Sequence, residues 1–162
     1  MDTTNLLMNT IAELLSPADV LLDCDATTKR GVFEQVGALL ERRHGLDRAQ
    51  VSNALYARER LGSTGLGHGV ALPHARLKGL PQAVAVFVRT RMPIPFDAPD
   101  AKPVSDMIVL IVPDKSPDLH LQLLAEVAQL FADRTFREQL RSCADAEAVH
   151  RLVDTRSRPA KG

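Results

Sequence analysis

Along the chain, stretches whose apolar residues recur every three or four positions alternate with short runs that are apolar almost without a break. Residues 11–15 read as a short helical turn, which Ser16-Pro17 stops. Val20-Leu21-Leu22 is a strand candidate. Thr27 or Thr28 can cap a helix that carries Val32, Phe33, Val36, Leu39 and Leu40 on one face, and Gly45 suits the position just past its end. Asp47 caps a second helix, with Gln50 as its capping-box partner, and the inward stripe runs Val51, Leu55, Arg58. Residues 83–88 and 107–112 are nearly continuous Val/Ile-rich runs bounded by Pro and charged residues, the pattern of strands covered on both faces. Ser116-Pro117 opens another helix, with Leu124, Val127, Ala128 and Phe131 on its apolar face. Helices near 135–143 and 145–152 complete the chain. The alternation predicts one α/β domain over residues 1–153, a layered sandwich whose helices flank a mostly buried β-sheet. The polar stretch 154–162 carries Pro and Gly and is expected to be a flexible tail.

Composition narrows the function. A chain of 162 residues, 45% hydrophobic and 25% charged, has the size and make-up of one globular domain with a real core. Lys+Arg and Asp+Glu are 20 each, so the excess cation that nucleic-acid binding requires is lacking. Aromatic residues are 4% and Trp is absent, which argues against a base-stacking surface. No apolar run reaches the ~18–20 residues of a membrane-spanning helix. Met1-Asp2-Thr3-Thr4-Asn5 lacks the basic start of a signal peptide. Cys24 and Cys143 stand in no metal or redox spacing and read as two reduced, buried thiols, which fits a cytoplasmic protein.

The chemistry concentrates in one segment. Gly62, Gly65, Gly67 and Gly69 are four of the nine glycines. Glycines so dense let backbone N–H groups approach a ligand, and composition alone leaves a phosphate-cradling loop and a merely mobile one evenly matched. The spacing is neither that of a P-loop nor that of a dinucleotide fingerprint. The segment ends in Leu72-Pro73-His74, where Pro73 holds Leu72 extended and presents His74 from a stiffened backbone. Such an imidazole can serve as nucleophile or general base, or simply as a turn histidine bonded to its neighbours. Arg58 ends the inward stripe just before the loop, either as a donor fork for an anion or as a stem lying on apolar surface. His120 lies in the first turn of its helix, in register with Leu124, Val127 and Phe131, where a core role competes with anion contact at a positive helix end. Together with Ser63 and Thr64, these groups converge on phosphate held on an imidazole. Asp97, Asp100 and Asp106 fit no calcium loop and are expected in turn or capping roles. His68 and His74 have no third ligand at metal spacing, so no metal or other cofactor is expected.

Residues 58–74, Arg-Glu-Arg-Leu-Gly-Ser-Thr-Gly-Leu-Gly-His-Gly-Val-Ala-Leu-Pro-His, resemble the active-site signature of enzyme IIA proteins of the mannitol/fructose type in the bacterial phosphotransferase system. Residues 96–104 resemble that family's second motif, and His120-Leu121-Gln122-Leu123-Leu124-Ala125 its third. The likeness runs from about residue 10 to 150, and Gly-Ser-Thr-Gly-Leu-Gly is closer to the nitrogen-regulatory subgroup. The resemblance implies a mannitol-type enzyme IIA fold with a mixed sheet. It implies that His74 takes a phosphoryl group from a phosphohistidine carrier of the HPr/NPr kind, with Arg58 and His120 flanking it. Two departures stand out: Ala75 where relatives carry Gly, a strain of about 1 kcal/mol if the position needs positive φ, and His68 where Asn or an acid is usual, adding a titratable group beside the site.

On this reading neutral His74 attacks the donor's phosphorus in line, and Arg58, the Ser63 and Thr64 hydroxyls and the N–H groups at Gly65, Gly67 and Gly69 bind the phosphoryl oxygens. The leading expectation is a regulatory phosphocarrier that binds partners according to its phosphorylation state. A sugar-specific enzyme IIA passing phosphate to a IIB domain, and an interaction module whose His74 is never modified, are the alternatives.

Overall fold

Helix caps set the boundaries. The computed structural model describes residues 10–157. After α1 (Ile11–Leu14) and a 3₁₀ turn at Pro17–Asp19 comes β1 (Val20–Cys24), then α2 (Lys29–His44) and α3 (Arg48–Leu61). Thr28 opens α2 by accepting the Gly31 N–H at 3.0 Å, and Gly45 at φ 70° closes it. Asp47 caps α3 by itself, accepting from the N–H groups of Ala49 and Gln50. Next come β2 (Gly65–Gly67), β3 (Val70–Ala71), β4 (His74–Leu77), β5 (Val84–Ile94) and β6 (Val104–Pro113). Helices α4 (Pro117–Ala132), α5 (Arg134–Arg141) and α6 (Ala146–Ser157) follow. Ser116 occupies the cap position of α4 without a side-chain cap bond, so Pro117 at the first helical position fixes that start.

The strands form one mixed sheet in the order β1-β5-β6-β3-β2, and β4 pairs with β6 as well. β5 and β6 are antiparallel neighbours at its centre; β1 runs parallel to β5, while β3 and β4 run parallel to β6. β3 and β4 are two pieces of one broken strand. Val70 and Ala71 face Asp106 and Met107, and His74 to Leu77 face Leu110 to Pro113. The break is at Leu72-Pro73, where Pro73 lacks an N–H but its carbonyl still accepts from Leu110 at 3.0 Å.

Period-two alternation along the central strands divides the core. Val84, Val86, Val88, Met107, Val109 and Ile111 face α2 and α3, whereas Ala85, Phe87, Ile108, Leu110 and Val112 face α1, α4, α5 and α6. All five phenylalanines are buried.

The structure corrects several expectations. The strands are longer than the apolar runs that revealed them, because β5 and β6 continue through residues whose outer faces are polar. On α4 the inward residues are His120, Leu123, Val127, Leu130 and Phe131; Leu124 is half-buried and Ala128 is exposed. Cys24 is buried, Cys143 only partly so, and both are free. Helix α6 continues through Ser157, well into the stretch expected to be a tail; residues 1–9 and 158–162 lie outside those described. Asp106 is neither cap nor turn. It is buried and paired with Arg89 at 2.8 Å, and the same guanidinium donates to the Leu140 and Cys143 carbonyls at the end of α5.

That pair fastens α5 to the sheet. Removing one partner leaves a buried charge uncompensated, which typically costs about 3–5 kcal/mol. Arg89→Met is expected to lower the free energy of unfolding by about 3 kcal/mol in urea, and a loss well under 1 kcal/mol would show that the pair is not structural.

Candidate functional site

Helix α3 belongs to one helical layer and α4 to the other, and they meet across the open side of β4. A hollow of about 470 Å³ lies there, lined by Ala54, Ala57, Arg58 and Leu61 of α3, His74, Ala75 and Arg76 of β4, and His120 of α4. Ala75 turns into the core and pairs with Ile111 in regular strand geometry. It is not among the positive-φ residues, so the strain expected there is absent. Its neighbours His74 and Arg76 project to the opposite face, toward His120.

Hydrogen bonds fix the state of both imidazoles. His74 Nδ1 lies 2.9 Å from the Leu72 carbonyl oxygen, which can only accept. The proton of the neutral ring therefore sits on Nδ1, leaving Nε2 a bare lone pair. His120 is set the other way: Arg76 Nε donates to its Nδ1 at 3.1 Å, so its proton sits on Nε2. That Nε2 is buried and has no hydrogen-bond partner among the described residues. The rings stand 5.4 Å apart, edge to face. A bare acceptor nitrogen and an orphaned donor thus share one hollow with two guanidinium groups.

Burial is the largest influence on both rings and disfavours their charged forms. For His74 the Leu72 carbonyl opposes that shift, while the Arg58 charge reinforces it; the net pKa is lowered. The His120 pKa is lowered by burial, then by the proximity of His74, Arg76 and Arg58. Both rings are therefore neutral at pH 7.

The remaining site candidates behave differently. Arg58 is half-buried at the rim, and its Nη1 donates to the Gly62 carbonyl at 2.8 Å, closing its own helix. The inward residue of that stripe is Glu59, four positions after Leu55. Its buried carboxylate accepts from Thr64 N–H at 3.0 Å, Thr64 Oγ1 at 2.5 Å and Lys29 Nζ at 3.0 Å. Ser63 Oγ donates to the Phe96 carbonyl and accepts from Gly65 N–H. The single protons of both hydroxyls are thus taken up by the loop's own structure here, instead of being free for a phosphoryl oxygen. Gly65 lets the loop lie against Ala98, where a Cβ would stand 2.8 Å from the Ala98 Cβ. Gly67 and Gly69 flank His68, itself at φ 58°, and all three face away from the His74 hollow toward Asp100, Pro103 and Arg141. His68 is therefore not beside His74. Asp100 does take a turn role, accepting the His68 and Lys102 N–H groups. Arg76, Glu59 and Lys29 were missed. Two-residue alternation along a strand starting at His74, and the i+4 spacing from Leu55, would have pointed to Arg76 and Glu59.

The family profile described as "Phosphoenolpyruvate-dependent sugar phosphotransferase system, EIIA 2" matches residues 13–155. The chain belongs to that EIIA type-2 family. A nitrogen regulatory protein of Pseudomonas aeruginosa is 35% identical over 144 residues, covering 88% of this chain and 94% of that one. The crystal structure of nitrogen regulatory protein IIA-Ntr from Neisseria meningitidis superposes with a TM-score of 0.83 at 45% identity, covering 88% and 98% of the two chains. IIA mannitol from Escherichia coli shares the fold with a TM-score of 0.72 at 20% identity, covering 85% and 97%. Membership of this EIIA family implies phosphoryl transfer through histidine. Among the described residues no helix is long and apolar enough to cross a membrane.

Two measurements check the site's electrostatics. In an NMR titration, His74 and His120 are expected to gain protons only below the ~6.5 of free histidine. The unfolded chain then binds protons first as pH falls, so stability declines from about pH 6.5 downward; a midpoint at or above 6.5 for His74 would contradict the assigned burial. His120→Leu removes a buried donor without a partner, a group that typically costs about 1–3 kcal/mol to bury. The same substitution takes away the acceptor of Arg76 Nε on an exposed side chain, so the variant is expected to match the parent's stability in urea, and a loss above ~1 kcal/mol would mean that the Arg76 bond or an unseen Nε2 partner outweighs the relief of the orphaned donor.

Proposed function

We propose that this EIIA-family protein is a phosphocarrier of the nitrogen-related phosphotransferase branch, taking a phosphoryl group on His74 Nε2 from a phosphohistidine carrier of the NPr/HPr kind. The observation that carries this reading is the opposite protonation of the two imidazoles across one hollow. In the transfer, the His74 Nε2 lone pair forms a bond to phosphorus as the bond from phosphorus to the donor's ring nitrogen breaks, and the donor nitrogen keeps that electron pair. The Nδ1 proton stays on His74, where the Leu72 carbonyl offsets the positive charge the ring acquires. The orphaned His120 Nε2–H would donate to a phosphoryl oxygen, and Arg58 and Arg76 would supply fixed positive charge. Arg76 is a positioning residue as well, because its bond to Nδ1 holds the His120 proton on the side of the phosphoryl group. Such transfer is mostly positioning and charge stabilisation.

The rim suits a protein donor: Leu61 is 85% exposed at the hollow's edge, and Leu121, next to His120, is 65% exposed. A docked phosphocarrier would cover these side chains and exclude water from the reacting atoms. Regulation follows from the same chemistry, since a phosphoryl group brings roughly two negative charges into a hollow that holds two guanidinium groups. Downstream partners would then distinguish the two states by charge at this rim. The curated relatives and the solved structure named for nitrogen regulation favour this branch over sugar-specific transport.

Incubation with enzyme I, the phosphocarrier and phosphoenolpyruvate is expected to add one acid-labile phosphoryl group, and His74→Ala to abolish it. Arg58→Ala, Arg76→Ala and His120→Leu should each slow transfer, by about 10²-fold if each supplies one preorganised donor or charge. Phosphorylation that survives His74→Ala sinks the assignment.

A further inference from the structure

A second hollow, of about 630 Å³, opens on the other side of the glycine loop and has no part in the chemistry at His74. Arg134, Arg137 and Arg141 of α5 line it together with Lys102 from the loop before β6. Glu138 is the one carboxylate among its lining residues. In a chain with no formal net charge, this is a pronounced local concentration of cations. Arg134 pairs with Glu138 at 3.1 Å in an exposed contact of little energetic worth, and Arg137 Nη1 donates to the Phe131 carbonyl at 2.7 Å. Among the described residues Arg141 makes no side-chain hydrogen bond or ion pair, and the Lys102 ammonium has only the nearby Asp100 carboxylate, whose pKa its charge helps to lower. Arg141 stands over the loop, its Nη2 3.6 Å from where a Cβ on Gly69 would be. His68 joins the lining from a left-handed backbone, with its N–H tied to Asp100.

Like charges gathered this way repel one another, and an anion relieves that repulsion. The spacing says which anion. Arg134, Arg137 and Arg141 fall on one helix face over about 10 Å, too long a row for a single phosphate but suited to a chain of two or three. Pro93 and Pro103 add apolar wall on which an organic group can rest. We propose that this hollow binds an organic di- or triphosphate, gripped by Arg141, Lys102 and the outward guanidinium edges of Arg134 and Arg137. The proposal does not depend on what happens at His74.

Titration of the full-length protein by calorimetry and by amide NMR, at ~0.15 M salt, uses pyrophosphate, ATP and inorganic phosphate as probes, with a polyglutamate peptide as a fourth. Pyrophosphate and ATP are expected to bind saturably, shifting amides of α5, Gly69 and Lys102, and to weaken as salt rises. Inorganic phosphate should bind much more weakly. Arg141→Gln and Lys102→Gln are each expected to weaken ATP binding about tenfold, the loss of one charge-assisted hydrogen bond, while His74 still accepts phosphate at the parental rate. Should Arg141→Gln fail to fold, Lys102→Gln on its exposed loop decides. No saturation by either polyphosphate, equal binding of inorganic phosphate, shifts confined to the His74 hollow, or binding of polyglutamate alone would each overturn the proposal.

Discussion

Two short strand pieces, Val70–Ala71 and His74–Leu77, lie in register on the same edge of β6, and the proline between them makes that arrangement possible. Pro73 cannot donate to the ladder, so the strand breaks there, yet its carbonyl still takes the Leu110 N–H and holds the second piece in line. The break turns the Leu72 carbonyl to the His74 ring. It also begins β4 at His74, so that alternate residues enter the core and the hollow. Ala75 anchors the strand among the residues packed under α2 and α3, and His74 and Arg76 are left on the side of α4. Moving the register by one residue would turn the His74 ring into the core and expose the alanine.

From that placement the electrostatics follow. The site lies between two helical layers at a sheet edge, deep enough that burial keeps both imidazoles neutral, yet flanked by two guanidinium groups that would repel a third positive charge. A carbonyl on one ring and a guanidinium on the other give them opposite tautomers. The result is a ring nitrogen with a free lone pair near a donor that has no partner among the described residues, a local cost in stability held where an anion would repay it.

The glycine segment shows how a loop can be both glycine-rich and firmly built. Glu59, buried at the end of α3, holds Thr64 by backbone and hydroxyl and is balanced by Lys29 from α2. Ser63 ties the same segment to Phe96. Ser63 and Thr64 thus act as fasteners of the loop, and the glycines permit close packing against Ala98 and left-handed turns beside His68. The segment thus carries the chain from Arg58 to His74 along a fixed path, with a second, cationic hollow on its far side.

Sequence by itself determined the layered α/β class, the capped helices α2 and α3 and the two central strands, and it singled out Arg58, His74 and His120, which the fold brings to one hollow. Each of these rests on local information: periodicity of burial, cap chemistry, a proline's restraint, or a motif whose residues are close in the chain. Tertiary structure alone decided that Arg76 controls the His120 tautomer, that Glu59 rather than Arg58 points inward, that His68 belongs to a different hollow, and that the Ser63 and Thr64 hydroxyls are already engaged. These depend on which partners arrive from distant segments, and a hydroxyl or a guanidinium is equally able to bind phosphate or backbone until the fold brings one of them within reach.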